Sequence, residues 1–190
     1  MSRRRCITRS ALLAATLFLG ARLDGQTPND EAQIKAAFVY NFLKFVEWPA
    51  GTFRHPQDTL VVAIIGDGVT AEATDHFLAS KQIGERPLAI RLLKWDDSLA
   101  GVHAVFVASV DGKRLRRILD GAAAEKVLSI GEGEEFAEHG GVIALLIEQR
   151  RVRFDIDTDV AQAAGLRISS KLLALTRVVH SAMNGTGAHP

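Results

Sequence analysis

The chain has 190 residues with 47% hydrophobic side chains, a single cysteine, and 23 basic against 22 acidic side chains. Residues 1–25 hold five of the arginines and one aspartate; without them 18 basic and 21 acidic side chains remain, a net charge of −3 instead of +1. A mildly acidic chain with no basic tract gives no electrostatic footprint for nucleic acid or for an anionic membrane, so neither is expected as a partner.

The N-terminus reads as a targeting segment. Arg3, Arg4, Arg5 and Arg9 precede the apolar run ALLAATLFLGA at 11–21. A basic stretch followed by so short an apolar run is a secretory signal and cannot span a bilayer. Cleavage is expected between Ala21 and Gly25. Unfolded export is favoured over twin-arginine export, because Cys6 and Ile7 stand where that motif takes an aromatic residue. Cys6 leaves with the signal, so the exported chain carries neither thiol nor disulfide, and a packed core must hold it. About 165 residues suffice for one. The expected organisation is a signal peptide at 1–25, one domain at 26–180 and a disordered tail at 181–190.

Five of the twelve aromatic residues fall in AAFVYNFLKFVEWP, 36–49. The spacing predicts a helix from about Asp30, with Gln33 completing a capping box, to Pro49. On a helical wheel Phe38, Val39, Phe42, Leu43, Phe45 and Val46 cover an arc of ~160° and form a core face. Tyr40, Asn41, Lys44, Glu47 and Trp48 lie off that face. Aromatic rings among polar residues fit interface chemistry, which makes these five the candidate partner-binding surface; the competing expectation is that Trp48 folds back over the helix end or against the C-terminal helix.

After a Pro/Gly-containing loop at 49–58, strands and helices alternate. LVVAIIG (60–66) is continuously apolar, as in a strand buried on both faces of a parallel sheet. A helix near 70–79, strands PLAIRLL (87–93) and HAVFVAS (103–109), a basic-sided helix near 111–121, the strand KVLSIG (126–131) and a brief helix EEFAEHG follow. This succession predicts an α/β fold, a mostly parallel sheet flanked by helices. GVIALLIE (141–148) and RVRFDID (151–157) predict a C-terminal antiparallel hairpin. Strict alternation in the second strand turns Val152, Phe154 and Ile156 inward and Arg151, Arg153, Asp155 and Asp157 into water. A helix at 159–164 ends at Gly165, and Ser169 or Ser170 caps a last helix reaching about Val179.

Catalytic signals are absent. Gly66-Asp67-Gly68-Val69-Thr70-Ala71 fits a dinucleotide fingerprint only nominally, because no acidic residue ends the next strand at the required distance; a tight strand-to-helix turn explains it better. The six histidines show no metal-binding spacing, and no cofactor or metal is expected. Asp67, Ser109 and Glu132 each follow a candidate parallel strand, at the edge where α/β sheets gather ligands, and form a candidate ligand pocket.

Two stretches, AAFVYNFLKFVEWP and GGVI…RVRFDIDTDVAQAAGLRISSKLLALTRVV, resemble the opening and closing motifs of the YfiR-like family of periplasmic proteins. The resemblance runs over about residues 31–179. It implies a periplasmic regulator of cyclic-di-GMP signalling that binds and inhibits the periplasmic part of an inner-membrane diguanylate cyclase and is not an enzyme. An outer-membrane lipoprotein is the further partner it suggests; a second copy of the chain is a separate expectation, drawn from the Tyr40 to Trp48 helix surface. The sequence departs from the family at Gln149-Arg150, often Asn-Gly there, at Glu132, where the family often ends the stretch in Ser-Asp, and at Ala144, commonly Asn. Disulfides described for some members cannot form. The alternative expectation is a periplasmic small-molecule sensor or solute-binding module; an exported enzyme finds no supporting constellation.

Overall fold

The computed structural model describes residues 28–180; the signal segment and the 181–190 tail of the sequence reading lie outside the described residues. Helix α1 spans Pro28–Phe45, with Asp30 and Glu31 in its first turn and Lys44 in its last, the signs that a helix dipole favours. Because the helix already runs at Pro28, Asp30 lies inside its first turn and is not a residue capping it from outside. The Phe face packs as expected. Val39, Phe42 and Leu43 are fully buried, and Phe38 and Phe45 are half-buried against the same cluster.

The helix stops three residues short of Trp48. Val46–Glu47 peels off as β1 and pairs antiparallel with β9, Arg167–Ile168. The Ser169 N–H also donates to the Phe45 carbonyl at 2.9 Å. A pairing across more than a hundred residues thus overrides the local helical pattern and occupies a carbonyl that the helix end leaves free.

Five strands run parallel: β2 (Leu60–Ile65), β4 (Arg86–Leu93), β5 (Ala104–Val107), β6 (Leu128–Glu132) and β7 (Ile143–Glu148). Their spatial order, β4-β2-β5-β6-β7, is the 2-1-3-4-5 order of a doubly wound sheet. At one end β3 (Gln82–Ile83) pairs antiparallel with the first two residues of β4. At the other, β8 (Arg151–Asp157) returns antiparallel along β7, and β10 (Val178–His180) adds parallel to β8. Helix α2 (Val69–Leu78) lies with α1 on one face; α3 (Gly112–Ala124) and α4 (Glu134–Glu138) cover the other. The expected mixed α/β domain with a mostly parallel sheet is what the chain forms. Every residue of β5 is buried, as its apolar run requires. The Phe136 ring of α4 lies on main chain, against Gly131 of β6 and Gly141 just before β7; a Cβ on either glycine would overlap it.

The β7–β8 hairpin is closed by Gln149 and Arg150 at φ 48° and 62°, both left-handed. The primed two-residue turn therefore forms without the Asn-Gly that suits it. Val152, Phe154 and Ile156 are buried, with the Phe154 ring 5.0 Å from Phe42 and 5.7 Å from Phe38.

The carboxylates of β8 depart from expectation. Asp155 is buried, and Asp157 is half-buried, accepting from the Asp159 and Val160 N–H groups to cap α5, Thr158–Ala163. The cause is the chain end. Ser169 caps a helix, α6, of only Ser170–Leu173; the expected continuation to Val179 instead becomes β10. The segment Thr176-Arg177-Val178-Val179 is rich in β-branched residues, and the open edge of β8 offers it a backbone partner. The Arg177 N–H bonds the Phe154 carbonyl at 2.9 Å, and its guanidinium covers Asp155.

Candidate functional site

Helix α1 runs against the direction of the parallel strands, so it connects two ends of the molecule. Lys35 stands at the C-terminal edge of the sheet, while Tyr40 to Trp48 lie toward its N-terminal edge.

At the C-terminal edge a cleft of about 610 Å³ opens over the ends of β5, β6 and β7. It is floored by apolar groups such as Val107, Leu115 and Phe136 and contains Ser109 and Glu132. Asp67 is not part of it. That residue lines a separate cleft of about 350 Å³ between α2 and the end of β4, so two of the three candidate pocket residues come together. Ser109 is exposed, with a strained φ of 26°, where β5 gives way to the loop before α3.

Two cations that the sequence reading missed are central to this cleft. Lys35 Nζ lies 2.6 Å from Glu132 Oε1 and 2.7 Å from Glu31 Oε1. Burial disfavours its charge, but the hydrogen bonds to Glu132 and Glu31 outweigh burial and hold the ammonium above its usual 10.5. Arg177 reaches Asp155 with two bonds, Nε to Oδ1 at 3.0 Å and Nη2 to Oδ2 at 2.6 Å, and these raise its already high pKa. Only the i, i+4 spacing of Glu31 and Lys35 was visible in sequence. Both cations of the cleft are thus paired to carboxylates, Lys35 to Glu132 and Glu31 and Arg177 to Asp155.

The switch point between β2 and β5, where such sheets commonly place a ligand, is shut. The Ala108 N–H continues the ladder to the Ile65 carbonyl at 2.9 Å, and Gly66, at φ 108°, sits so close that a Cβ would overlap the Ala108 carbonyl. The Gly66–Ala71 stretch is thus a tight turn pressed on a neighbouring strand at its first glycine.

At the opposite edge Asn41, Lys44 and Glu47 are exposed, and Tyr40 and Trp48 are half-buried. Tyr40 donates its hydroxyl to the Gln82 carbonyl at 3.0 Å, meets Phe77 edge-on, and carries Lys44 Nζ 5.4 Å above its ring. Trp48 Nε1 donates to the His103 carbonyl at 3.4 Å and meets Phe53 edge-on. Phe53, from the 49–58 loop, stacks on His103 at 4.7 Å and under the Arg86 guanidinium at 3.6 Å. His103 Nδ1 accepts the Val61 N–H at 3.0 Å, which requires the neutral ring. Burial, seconded by Arg86, holds its pKa below the usual 6.5. The five candidate residues thus lie on one stretch of chain, but Tyr40 and Trp48 engage two separate aromatic groups, one around Phe77 and one around Phe53.

Among solved structures, a conserved domain protein from Vibrio cholerae O1 biovar El Tor matches with a TM-score of 0.54 at 11% identity. The match covers 78% of this chain and 60% of that one. The ABC domain in complex with L-Trp from Streptococcus pneumoniae matches with a TM-score of 0.53 at 11% identity, over 79% of this chain and 60% of that one. The chain spans about 60% of the length of each, and at this identity the likeness is one of fold alone. A comparison with curated protein sequences gives no match. The sequence profile of a family, DUF4154, described as YfiR/HmsC-like, matches residues 32–177, which take in everything from the first turns of α1 to the arginine that clasps Asp155. The chain belongs to the YfiR/HmsC-like family.

Proposed function

We propose that this protein is a periplasmic regulator that binds the periplasmic part of an inner-membrane diguanylate cyclase and holds the cyclase inactive. Family membership over residues 32–177 carries the reading, since the YfiR-like family is known for periplasmic regulators of such cyclases and not for enzymes. The absence, among the described residues, of any helix long and apolar enough to cross a membrane is compatible with it. An outer-membrane lipoprotein that sequesters the regulator, and a homodimer, belong to the same proposal, as does the signal peptide at 1–25.

The partner surface in this proposal is the outer side of α1 and β1: Asn41, Lys44 and Glu47, flanked by the rings of Tyr40 and Trp48. Exposed polar groups beside half-buried aromatic rings offer desolvatable area already ordered by contacts such as Tyr40 to Gln82. The test is co-expression with a membrane diguanylate cyclase of the same organism and measurement of cyclic-di-GMP. Lys44→Glu and Asn41→Arg change exposed groups only, so they are expected to relieve inhibition with an unchanged thermal midpoint. Inhibition equal to that of the wild type in both variants removes this surface from the proposal. A wild-type chain without effect on the cyclase overturns the regulator reading itself.

The strand-end cleft favours a second reading, a small-molecule sensor, in which a ligand settles near Ser109 and Glu132 and competes for the Lys35 ion pair. A ligand screen followed by thermal shift, repeated on Lys35→Met, tests it; a hit whose shift persists unchanged in the variant refutes this site.

A further inference from the structure

Strand β4 is unlike the other long strands of the sheet. Five of its eight residues, Leu88, Ala89, Ile90, Leu92 and Leu93, are apolar, yet none is fully buried, and Leu92 is 68% exposed. The reason is its position. One edge pairs with β2 over residues 88–93, but β3 covers the other edge only at Arg86 and Pro87. Among the described residues nothing pairs with the outer edge over 88–93. An edge strand with unpaired backbone groups and apolar side chains is a template for another strand unless a bulge, a proline or an inward charge protects it. The proline, Pro87, stands at the end that β3 already covers, and within 88–93 the only charge is Arg91.

We propose that the outer edge of β4 over residues 88–93 docks an extended partner segment in which apolar and acidic side chains alternate. Leu88, Ile90 and Leu92 share the face toward α2, and Arg91 projects from the opposite face. Arg91 is exposed; its guanidinium donates only to the Ala100 carbonyl, at 3.3 Å, and no carboxylate pairs with it among the described residues. A partner strand therefore sets apolar residues on the α2 face and a carboxylate across from Arg91. The 350 Å³ cleft beside Leu92 and Ala71 receives one of the apolar side chains; Asp67, Glu72 and Asp75 outnumber Lys94 in its wall and disfavour a carboxylate there. A second copy of the chain fits poorly. Antiparallel pairing centred on Ile90, which matches Leu88 with the other copy's Leu92, leaves Arg91 opposite Ala89 with no carboxylate to meet it; a shift to centre on Arg91 sets that residue against itself. Like charges directly opposite one another destabilise a strand pair.

The inference rests on the reading of the chain as a partner-binding regulator and states how a partner is held. Its test needs no cyclase, so the two fail separately. The probe is a fluorescein-labelled, end-capped peptide of alternating Val and Glu, with a Val/Lys peptide as control, titrated by fluorescence polarisation against the exported chain. Amide hydrogen exchange is read with and without the peptide. The Val/Glu peptide is expected to bind in preference to the control and to slow exchange specifically within 88–93. Leu92→Lys, a change at an exposed position, is expected to weaken binding about tenfold. Arg91→Glu is expected to reverse the preference between the two peptides, a gain that misfolding cannot produce. Any of three results overturns the proposal: no added protection of the outward-pointing amides of 88–93, a peptide preference unmoved by Arg91→Glu, or those outward-pointing amides, the ones not bonded to β2, already protected in the free chain. The last would mean that a second copy, detected by sedimentation, or another segment of this chain occupies the edge.

Discussion

Truncation of Arg177 to alanine tests how the C-terminal end of the chain is fastened. The Asp155 side chain is 4% exposed, and its two oxygens accept from Arg177 Nε and Nη2 and from the Val178 N–H at 3.1 Å. Removing one partner of a buried ion pair commonly costs about 3–5 kcal/mol, because a desolvated charge is left behind. Here the guanidinium is 32% exposed and lines the strand-end cleft, so water can reach the vacated position. The expected loss is therefore at the low end, about 3 kcal/mol, or roughly 6–12 °C in thermal midpoint for a domain of this size. Urea denaturation followed by circular dichroism measures it. Arg177→Lys keeps the charge but not the two-pronged geometry and should recover only part of the loss. A loss for Arg177→Ala below about 1 kcal/mol, the range of an exposed surface pair, would refute the reasoning and show that Asp155 is not desolvated in solution.

Phe154→Ala should cost about 3–5 kcal/mol by opening a cavity beside Phe42 and Phe38, whereas Arg153→Ala, at an exposed position, should stay within about 0.5 kcal/mol; equal unfolding midpoints would mean the wrong face is inward. His103 is held neutral below its usual pKa, so its contribution is complete above pH 6.5 and is lost as pH falls through the lowered value. Thermal midpoints should thus decline from about pH 6.5 downward, and His103→Gln, which can still accept from the Val61 N–H, should flatten that decline; parallel profiles would rule out His103 as the titrating group. Replacing Gln149-Arg150 by Asn-Gly should stabilise the fold by about 0.5–2 kcal/mol in urea denaturation, since both residues hold φ values that Asn and Gly adopt with less strain.

Much of the layered core was legible because it is written in local periodicity. The continuous apolar runs of β2 and β5, the alternation of Val152, Phe154 and Ile156, and the Phe face of α1 each announce their burial. What escaped was written nowhere locally. The two-residue strands Val46–Glu47 and Arg167–Ile168 carry no pattern, and only their meeting ends α1 early. Asp155 reads as a solvated charge until β10 brings Arg177 over it. Lys35 reads as one more polar residue of an exposed helix face, because its partner Glu132 lies on another element. Of the candidate pocket, Ser109 and Glu132 share a cleft while Asp67 does not: strand ends are visible in sequence, but which of them adjoin depends on strand order. For the helix face, sequence showed that Tyr40 and Trp48 differ from the phenylalanines, but not that Gln82 and His103 would tether them.

The Phe136 ring resting on the bare main chain of Gly131 and Gly141 has a consequence for how this family can vary. Side chains around a cavity can turn to refill it, but main chain held in β6 and in the lead-in to β7 cannot follow a departing ring. Neither glycine has the positive φ that usually betrays a glycine-only position, so the requirement is spatial and inherited from a third residue. The three positions form one unit of heredity: while the phenylalanine stays, both glycines are fixed, and a chain that exchanges it gains freedom at two sites at once. Relatives should therefore divide into those that keep all three residues and those that have changed the set together.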